Sequence, residues 1–579
     1  MYDNLENINI VVDVLKKHGI NQVVISPGGT NIPFIKAIQD DEYFVCYSVV
    51  DERSAIYFAI GLYLQLRKPI VTLCTSAQAT RNYIPGLTEA FYKRVPILAI
   101  SMEKHPRFKY QEYMQAPDQT SLPNDAVKKS YELPFISDIN DIYHSIRIAN
   151  EAILELDRNG FGPVQLCIPW LDFPLADIKP LKKYINRYTQ VNFENLGIDN
   201  KKVLLVIGEH LPFTDIEKKA INNFCAAYNV AIYTNHLSNF SNEFSINGNL
   251  FLSVATDDEL KEIWPDVLIS IGGQTGDYPF YLTFSDNRRN IFEHWRICKD
   301  GKVVDTYDRL TKVFQCDIVT FFNSAEGCCS NHSYLTEWKN KIKKLSYDIN
   351  TPFSNVSIAS YLHNKIPKNS IIQFSILNSL RIWNLFDLDP SIECYSNVGA
   401  FGIDGGLSTL LGQSVVSDKL SFMIIGDLAF FYDMNSLGIR HLKNNVRIIL
   451  INNNGGVEFK LHGGNNSDTD RYIAAGNHYK DARGWAITCG FEYYSARNME
   501  DFVSQCNHLF KKTEKPILFE LFVSDLCESE AYHMLLELNT KKTAAESIRY
   551  ELKNSVKKFL GEDIYKQLKK NFKEKNNRQ

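Results

Sequence analysis

The stretch GDLAFFYDMNSLGIRHLKNNVRIILINNNGG, Gly426 to Gly456, decides the reading of this chain. It opens where the apolar run Phe422 to Ile425 ends in a glycine and an aspartate, and it closes just beyond a second apolar run, Arg447 to Ile451. Two β-rich runs joined by a connection of helical length read as strand, helix, strand with the strands parallel. Asn454 and Gly456 stand 27 and 29 residues after Asp427, which puts all three at the carboxyl ends of neighbouring strands. Open α/β sheets bind their ligands there. Asp427 offers a carboxylate, Asn454 an amide oxygen and Gly456 a main-chain carbonyl. That set suits Mg2+ or Mn2+ holding a diphosphate, because magnesium takes oxygen ligands, dehydrates reluctantly and is usually held by one or two protein groups plus phosphates. For the Gly-Asp pair alone, an ordinary unit with a solvated aspartate is the plainer alternative.

The same alternation extends outward over the chain. From Ile8 to Ile168, helical periodicity alternates with short β-rich runs at Gln22 to Ile25, Phe44 to Val49, Ile70 to Cys74, Val95 to Ile100 and Val164 to Ile168. A second unit runs from Lys202 to about Phe322 through the runs KVLLVIGEH, VAIYTN and PDVLISIGG. The third, which holds the metal motif, runs from Ser354 to Ser524. Strands alternating with helices imply parallel sheets covered on both faces. The expected fold is therefore α/β, three doubly wound domains with mainly parallel sheets at 1–180, 195–345 and 352–530, and a basic helical tail at 531–579. Asp172 to Asn192 reads as a linker. No GxGxxG follows a strand of the middle domain, which reads as a structural domain that has lost any nucleotide.

Length and composition agree with three globular domains: 579 residues, 45% hydrophobic and 22% charged, with a net charge of −4. That balance gives no electrostatic case for nucleic acid or an anionic membrane. The N-terminus lacks a basic region followed by an apolar stretch, and no apolar run is long enough to span a bilayer. The 12 cysteines are scattered through apolar segments, as small buried hydrophobes in a reducing, cytoplasmic compartment. Cys328, Cys329 and His332 cluster without a partner pair at zinc spacing.

The Gly426 to Gly456 motif resembles the diphosphate- and metal-binding motif of thiamine diphosphate-dependent enzymes. Further segments carry the same resemblance: SPGGTN from Ser26, VVDERSA from Val49, CTSAQA from Cys74 and SNVGAFGIDGG from Ser396. Jointly they look most like the menaquinone-pathway branch of that family, the 2-succinyl-5-enolpyruvyl-6-hydroxy-3-cyclohexene-1-carboxylate synthases. The resemblance implies that Glu52 is the catalytic carboxyl that hydrogen-bonds the cofactor's pyrimidine, in an apolar cleft that raises its pKa. A surface glutamate paired with Arg53 is the bland reading. Asp427, Asn454 and Gly456 would hold the metal, with Gly426 and Leu428 beside the diphosphate. Pro27, Gly28 and Ser76 would line the cofactor from the first domain, Gly402, Ile403 and Asp404 from the third, Ile403 as the prop beneath its bent form. Gln115 is the second catalytic candidate. In relatives each cofactor spans two subunits, which implies a homodimer or homotetramer.

The implied reaction is decarboxylation of a 2-oxo acid donor with transfer of the acyl-anion equivalent to an acceptor. Departures from the branch fall where substrate is chosen: Thr30, Val398 and Trp383 stand where it has arginines, with Arg381 close enough to compensate. Such arginines bind carboxylates by bidentate, charge-assisted contacts. Losing one buried contact of that kind costs about 2–5 kcal/mol. The departures point to substrates other than those of menaquinone synthesis, with Gln78, Glu458, Phe459 and His462 as further substrate candidates. The alternatives are the authentic menaquinone-pathway synthase, with relocated basic residues such as Lys104, Arg107, Arg288 or Arg289, and a non-catalytic cofactor-binding scaffold. His462 or His105 could move protons, although surface loops are the plainer reading of both.

Overall fold

The computed structural model describes residues 5–170, 184–189, 197–286, 292–323, 331–461, 472–474, 476 and 479–540. Three parallel sheets organise them. The first contains β1 (Gln22–Ile25), β2 (Val45–Ser48), β3 (Ile70–Cys74), β4 (Ile97–Lys104), β5 (Ser130–Glu132) and β6 (Val164–Trp170) in the order β2-β1-β3-β4-β6-β5. The middle sheet contains β7 (Asn186–Tyr188), β8 (Val203–Ile207), β9 (Val230–Tyr233), β10 (Ser245–Ile246), β11 (Val267–Ile271), β12 (Glu293–Ile297) and β13 (Leu310–Phe314) in the order β10-β9-β8-β11-β12-β13-β7. The third contains β14 (Ile371–Phe374), β15 (Glu393–Ser396), β16 (Ser421–Gly426), β17 (Val446–Asn452), β18 (Glu492–Ala496) and β19 (Ile517–Phe522) in the order β15-β14-β16-β17-β19-β18. The first and third orders are the same arrangement, so these domains share a fold.

The central strands are apolar because helices cover both faces of each sheet, whereas the short edge strands β5 and β7 are polar. Val23 and Ile25 of β1 enter one core cluster while Val24 between them enters another, as the two-residue alternation of a strand requires. Phe422 and Ile424 of β16 divide from Met423 and Ile425 in the same way. The first helix, Glu6–Lys17, buries Ile8, Val11, Val12 and Leu15, with an acid in its first turn and lysines in its last, the favourable sense of the helix dipole.

One expectation changes. Asn186–Tyr188 lies inside the stretch read as linker yet pairs with β13, because the middle sheet offers that strand's edge an extended partner. Of the C-terminal tail, the helix Asp525–Asn539 is capped by Ser524 and buries Ala531, Tyr532 and Leu535, whereas residues from 541 on lie outside the described residues. Arg288, Arg289, Cys328, Cys329 and His462 lie outside them as well. Among the described residues no helix is long and apolar enough to cross a membrane, and no group of three or more His, Cys, Asp or Glu could hold a metal.

Candidate active site

Glu52 begins the helix Glu52–Leu66, directly after Asp51, whose carboxylate caps that helix by accepting from the Ser54 amide at 3.2 Å. Only 7% of Glu52 is exposed. Its side chain meets the third domain, where the hydroxyl of Tyr432, the last residue of the helix Asp427–Tyr432, donates to Glu52 Oε2. Asn82 Nδ2 donates to the same hydroxyl at 2.7 Å. Burial pushes the Glu52 carboxyl up to about 7; Tyr432 opposes the rise, and Asp404 and Asp51 add to it. Arg53 pairs loosely with Asp51 at 3.5 Å, so the surface ion pair with Glu52 does not form.

The second contact between the two domains lies close by. Gln78, which opens the helix Gln78–Asn82, donates to Asp404 Oδ2 at 3.4 Å. A Cβ on Gly402 would stand 2.7 Å from that of Gln78, so only glycine lets the Gly402–Asp404 turn come this near. Ile403 is half-buried against two of the third domain's core clusters. On the first-domain side, Gly28 passes so close to Thr75 that a Cβ would meet it at 2.4 Å, and its amide donates to Asn31 Oδ1 at 2.8 Å. Ser76 Oγ is buried without a hydrogen-bond partner among the described residues. Pro27 stands half-buried at the head of this turn.

The metal motif sits at the ends of β16 and β17. Asp427 is 4% exposed; its Oδ1 accepts from the Leu428 amide at 2.7 Å and its Oδ2 from the Gly455 amide at 2.9 Å. Burial pushes this carboxyl up to about 7 despite those amides. Asn454 is exposed with a left-handed φ of 65°, beside Gly455 at φ 151°. The Gly456 carbonyl accepts from the Phe459 amide at 3.2 Å. Gly426, next to Asp427, has nothing within 4 Å of where a Cβ would be.

The substrate candidates divide. Arg381 and Glu458 find each other: Nη1 donates to Oε2 at 2.5 Å and Nη2 to Oε1 at 2.8 Å, with Arg381 only 7% exposed. Nη1 also donates to Asn378 at 2.9 Å, so most of the guanidinium's donors are engaged. Two assignments need correction. Trp383 is fully buried and donates to Asn355 Oδ1 at 3.2 Å, which makes it core rather than a substrate contact. Thr30 is 1% exposed, shares a 2.7 Å contact with Thr75 Oγ1 and accepts from the Ser76 amide at 3.0 Å, so it supports the turn from beneath. Val398 is sealed as well, beneath Gly276 of the middle domain. Phe459 packs on the first domain's core, and half-buried Gln115 holds a left-handed φ of 59°.

Comparison with known proteins accounts for this cleft. Residues 7–122 match the thiamine pyrophosphate enzyme family's N-terminal TPP binding domain. The chain is 32% identical to the 2-succinyl-5-enolpyruvyl-6-hydroxy-3-cyclohexene-1-carboxylate synthase of Phocaeicola vulgatus, over 93% of this chain and 100% of that protein. The chain belongs to that synthase family. The identically named protein of Bacteroides fragilis is 32% identical over 90% of this chain and 97% of its own, and that of Flavobacterium psychrophilum 28% over 90% and 96%. This chain is thus a thiamine diphosphate (thiamine pyrophosphate)-dependent enzyme that works with a divalent metal.

The residues present fit such a group. A desolvated Asp427 carboxyl that accepts from backbone amides suits a cation, and Ser76 Oγ is a buried polar atom without a hydrogen-bond partner among the described residues. Glu52 and the Gly402–Asp404 turn come together within one chain, so a dimer does not follow from a divided site. Tyr432 escaped the sequence reading. Its signal was the polar-tipped aromatic five residues after Asp427, on the short helix the metal motif begins.

Proposed function

We propose that this enzyme makes the product its relatives' name states, 2-succinyl-5-enolpyruvyl-6-hydroxy-3-cyclohexene-1-carboxylate, by decarboxylating 2-oxoglutarate and adding the four-carbon acyl-anion equivalent to isochorismate. The observation that carries the proposal is 32% identity spread over nearly the whole of both chains, not over the cofactor motifs alone. When bound, the cofactor would supply the carbanion chemistry that decarboxylation of a 2-oxo acid and acyl transfer require. Glu52 would hydrogen-bond its pyrimidine ring and exchange a proton near neutrality, a role supported by the burial that pushes its pKa up to about 7. Asp427, Asn454 and Gly456 would hold the metal, with Gly426 and Leu428 at the diphosphate; Pro27, Gly28, Ser76, Gly402, Ile403 and Asp404 would line the rest. Gln115 and Gln78 would orient the acceptor.

A second reading, a carboligase for a less acidic donor such as pyruvate, draws on one observation. Thr30, Val398 and Trp383 are uncharged and buried, and Arg381 is already paired with Glu458. The deciding experiment measures carbon dioxide release and product mass with 2-oxoglutarate, pyruvate or phosphonopyruvate, each with and without isochorismate. Turnover confined to 2-oxoglutarate plus isochorismate supports the proposal; turnover of another acid sinks it in favour of the second reading. Silence with cofactor bound favours a scaffold.

We also propose that the chain works as a homodimer or homotetramer in the cytoplasm. The outer face of Glu52–Leu66 supports association, with Tyr57, Phe58 and Leu64 all more than 40% exposed on one helix. Free cysteines throughout the described residues support a reducing compartment.

A further inference from the structure

The middle sheet runs β10-β9-β8-β11-β12-β13, the order in which a nucleotide crevice opens between the carboxyl ends of its two central strands. In this chain the crevice is filled by another domain. Glu112 and Met114, from the segment after β4 of the first domain, line it together with Gly208, Gly273 and Arg296, leaving a cavity of about 30 Å³. Ligand pockets are typically ~300–1,000 Å³, so the remaining space takes no more than a water or two. The strand ends are also drawn together: a Cβ on Gly208 would stand 1.9 Å from the Gly273 carbonyl oxygen.

The inserted segment is fastened at several points. Arg296 of β12, 8% exposed, grips Glu112 with a two-pronged contact, Nη1 to Oε2 at 2.8 Å and Nη2 to Oε1 at 2.5 Å. Gln111 accepts from the Asp305 amide at 2.9 Å through its side chain and from Thr306 Oγ1 at 3.0 Å through its carbonyl. Tyr113 stacks on Phe108 with centroids 3.9 Å apart and meets Tyr281 edge-on at 4.9 Å. Glu112 and Gln115 both have left-handed backbones, φ 51° and 59°, conformations that non-glycine residues hold only when their surroundings impose them. Downstream, Gln119 accepts from the Ala77 amide at 2.9 Å and donates to the Met102 carbonyl at 3.0 Å, which ties the segment to the Ser76–Gln78 turn of the cleft.

We propose that Arg296 is a positioning residue of the active site: the middle domain uses its former ligand crevice as a socket for Glu112 and so fixes Gln115 and the Ser76–Gln78 turn. The structural half of the proposal stands by itself, and only its kinetic half rests on the reaction proposed above. The variants are Arg296→Met, Glu112→Gln, their combination and Arg296→Lys, each as the full chain with cofactor and magnesium.

Hydrogen exchange is expected to rise at least about tenfold at the amides of 111–119 in either single variant, with the sheets unaffected. The acceptor KM should rise about tenfold while kcat changes by less than about threefold. The combination should be no worse than the worse single variant, because both remove one contact, and Arg296→Lys should recover part of the loss. Unchanged exchange at 111–119 in both single variants, or a rise shared equally by all three sheets, would overturn the proposal. An enzyme inactive on the proposed substrates counts against the reaction alone, since exchange still decides the socket. Should Arg296→Met fail to fold, Glu112→Gln carries the test.

Discussion

Replacing Tyr432 by phenylalanine removes one atom from the cleft and leaves its packing intact. That atom is the donor to Glu52 Oε2, and in turn it accepts from Asn82 at 2.7 Å. The titratable groups facing Glu52 include Tyr432, the carboxyls of Asp404 and Asp51, and the buried Cys74 and Tyr83, and of these the Tyr432 hydroxyl gives the largest side-chain support to the ionised form. A hydrogen bond to a charged group contributes about 1.5–3 kcal/mol, and about 1.4 kcal/mol corresponds to one pH unit, so the Glu52 pKa of about 7 should rise by roughly one to two. The sign for stability follows. Glu52 is an acid whose folded pKa lies above its ordinary 4.5, so its contribution is fully present below pH 4.5 and is lost as pH rises to about 7. That loss amounts to about 3 kcal/mol in the cofactor-free protein. In Tyr432→Phe the decline should continue to about pH 8–9 and deepen by about 1.5–3 kcal/mol. Urea unfolding of the cofactor-free protein from pH 5 to 9 measures both curves, with Glu52→Gln as the reference that keeps the pH dependence of the other buried carboxyls, Asp427 and Glu528 among them, so that the difference from it isolates Glu52. Superimposable curves for the wild type and Tyr432→Phe would refute the reasoning.

The other predictions concern the carboxyls and the buried ion pair. Glu52→Gln should lower turnover about a hundredfold to ten-thousandfold, the usual worth of a positioned acid or base, with thermal stability retained and cofactor binding still measurable by calorimetry. Asp427→Asn should weaken cofactor binding by more than the about 10- to 100-fold that an outer-shell partner costs, and EDTA should abolish activity in the wild type until Mg2+ or Mn2+ is restored. Arg381→Met should cost about 3–5 kcal/mol in denaturant unfolding, because it removes the two-pronged guanidinium contact from the 17%-exposed Glu458 side chain. The double variant Arg381→Met with Glu458→Met should recover much of that loss; if it does not, the pair is not what holds the two segments together.

How much of this was legible depended on distance along the chain. The sheets were readable because strands covered on both faces are unbroken apolar runs, such as Val203–Ile207 and Phe422–Ile425. Ser130–Glu132 and Asn186–Tyr188 were not, being three-residue edge strands with polar side chains. Glu52 and Asp427 each stood out because a strand end followed by a helix start is a local pattern. Their surroundings did not, because Tyr432 reaches Glu52 from 380 residues away and Glu458 reaches Arg381 from 77. Trp383 was misjudged for a related reason: proximity to a motif does not tell which face of a helix a side chain occupies. Here Trp383 turns inward, toward Asn355 and the Phe374 ring 6.0 Å away.

Two buried carboxyls, Glu52 and Asp427, both sit near pH 7 because burial disfavours their charge, and amides and a tyrosine answer it only in part. Neither arrangement favours the empty protein, since a buried charge without a cation is among the least favourable groups a fold can keep. Each would suit what a metal-bound diphosphate cofactor brings, since a cation at Asp427 and a hydrogen-bonding ring nitrogen at Glu52 would answer the buried charge. The two domains that carry them share one strand order, and each places its residue after a strand end, so the cleft is the meeting of two equivalent sheet ends. The middle domain, whose own crevice is plugged by Glu112 and Met114, contributes instead by what it grips. Specificity for the acceptor then depends on a segment that one domain supplies and another holds, and substitutions far from the cofactor, at Arg296 or Gly208, become able to change it.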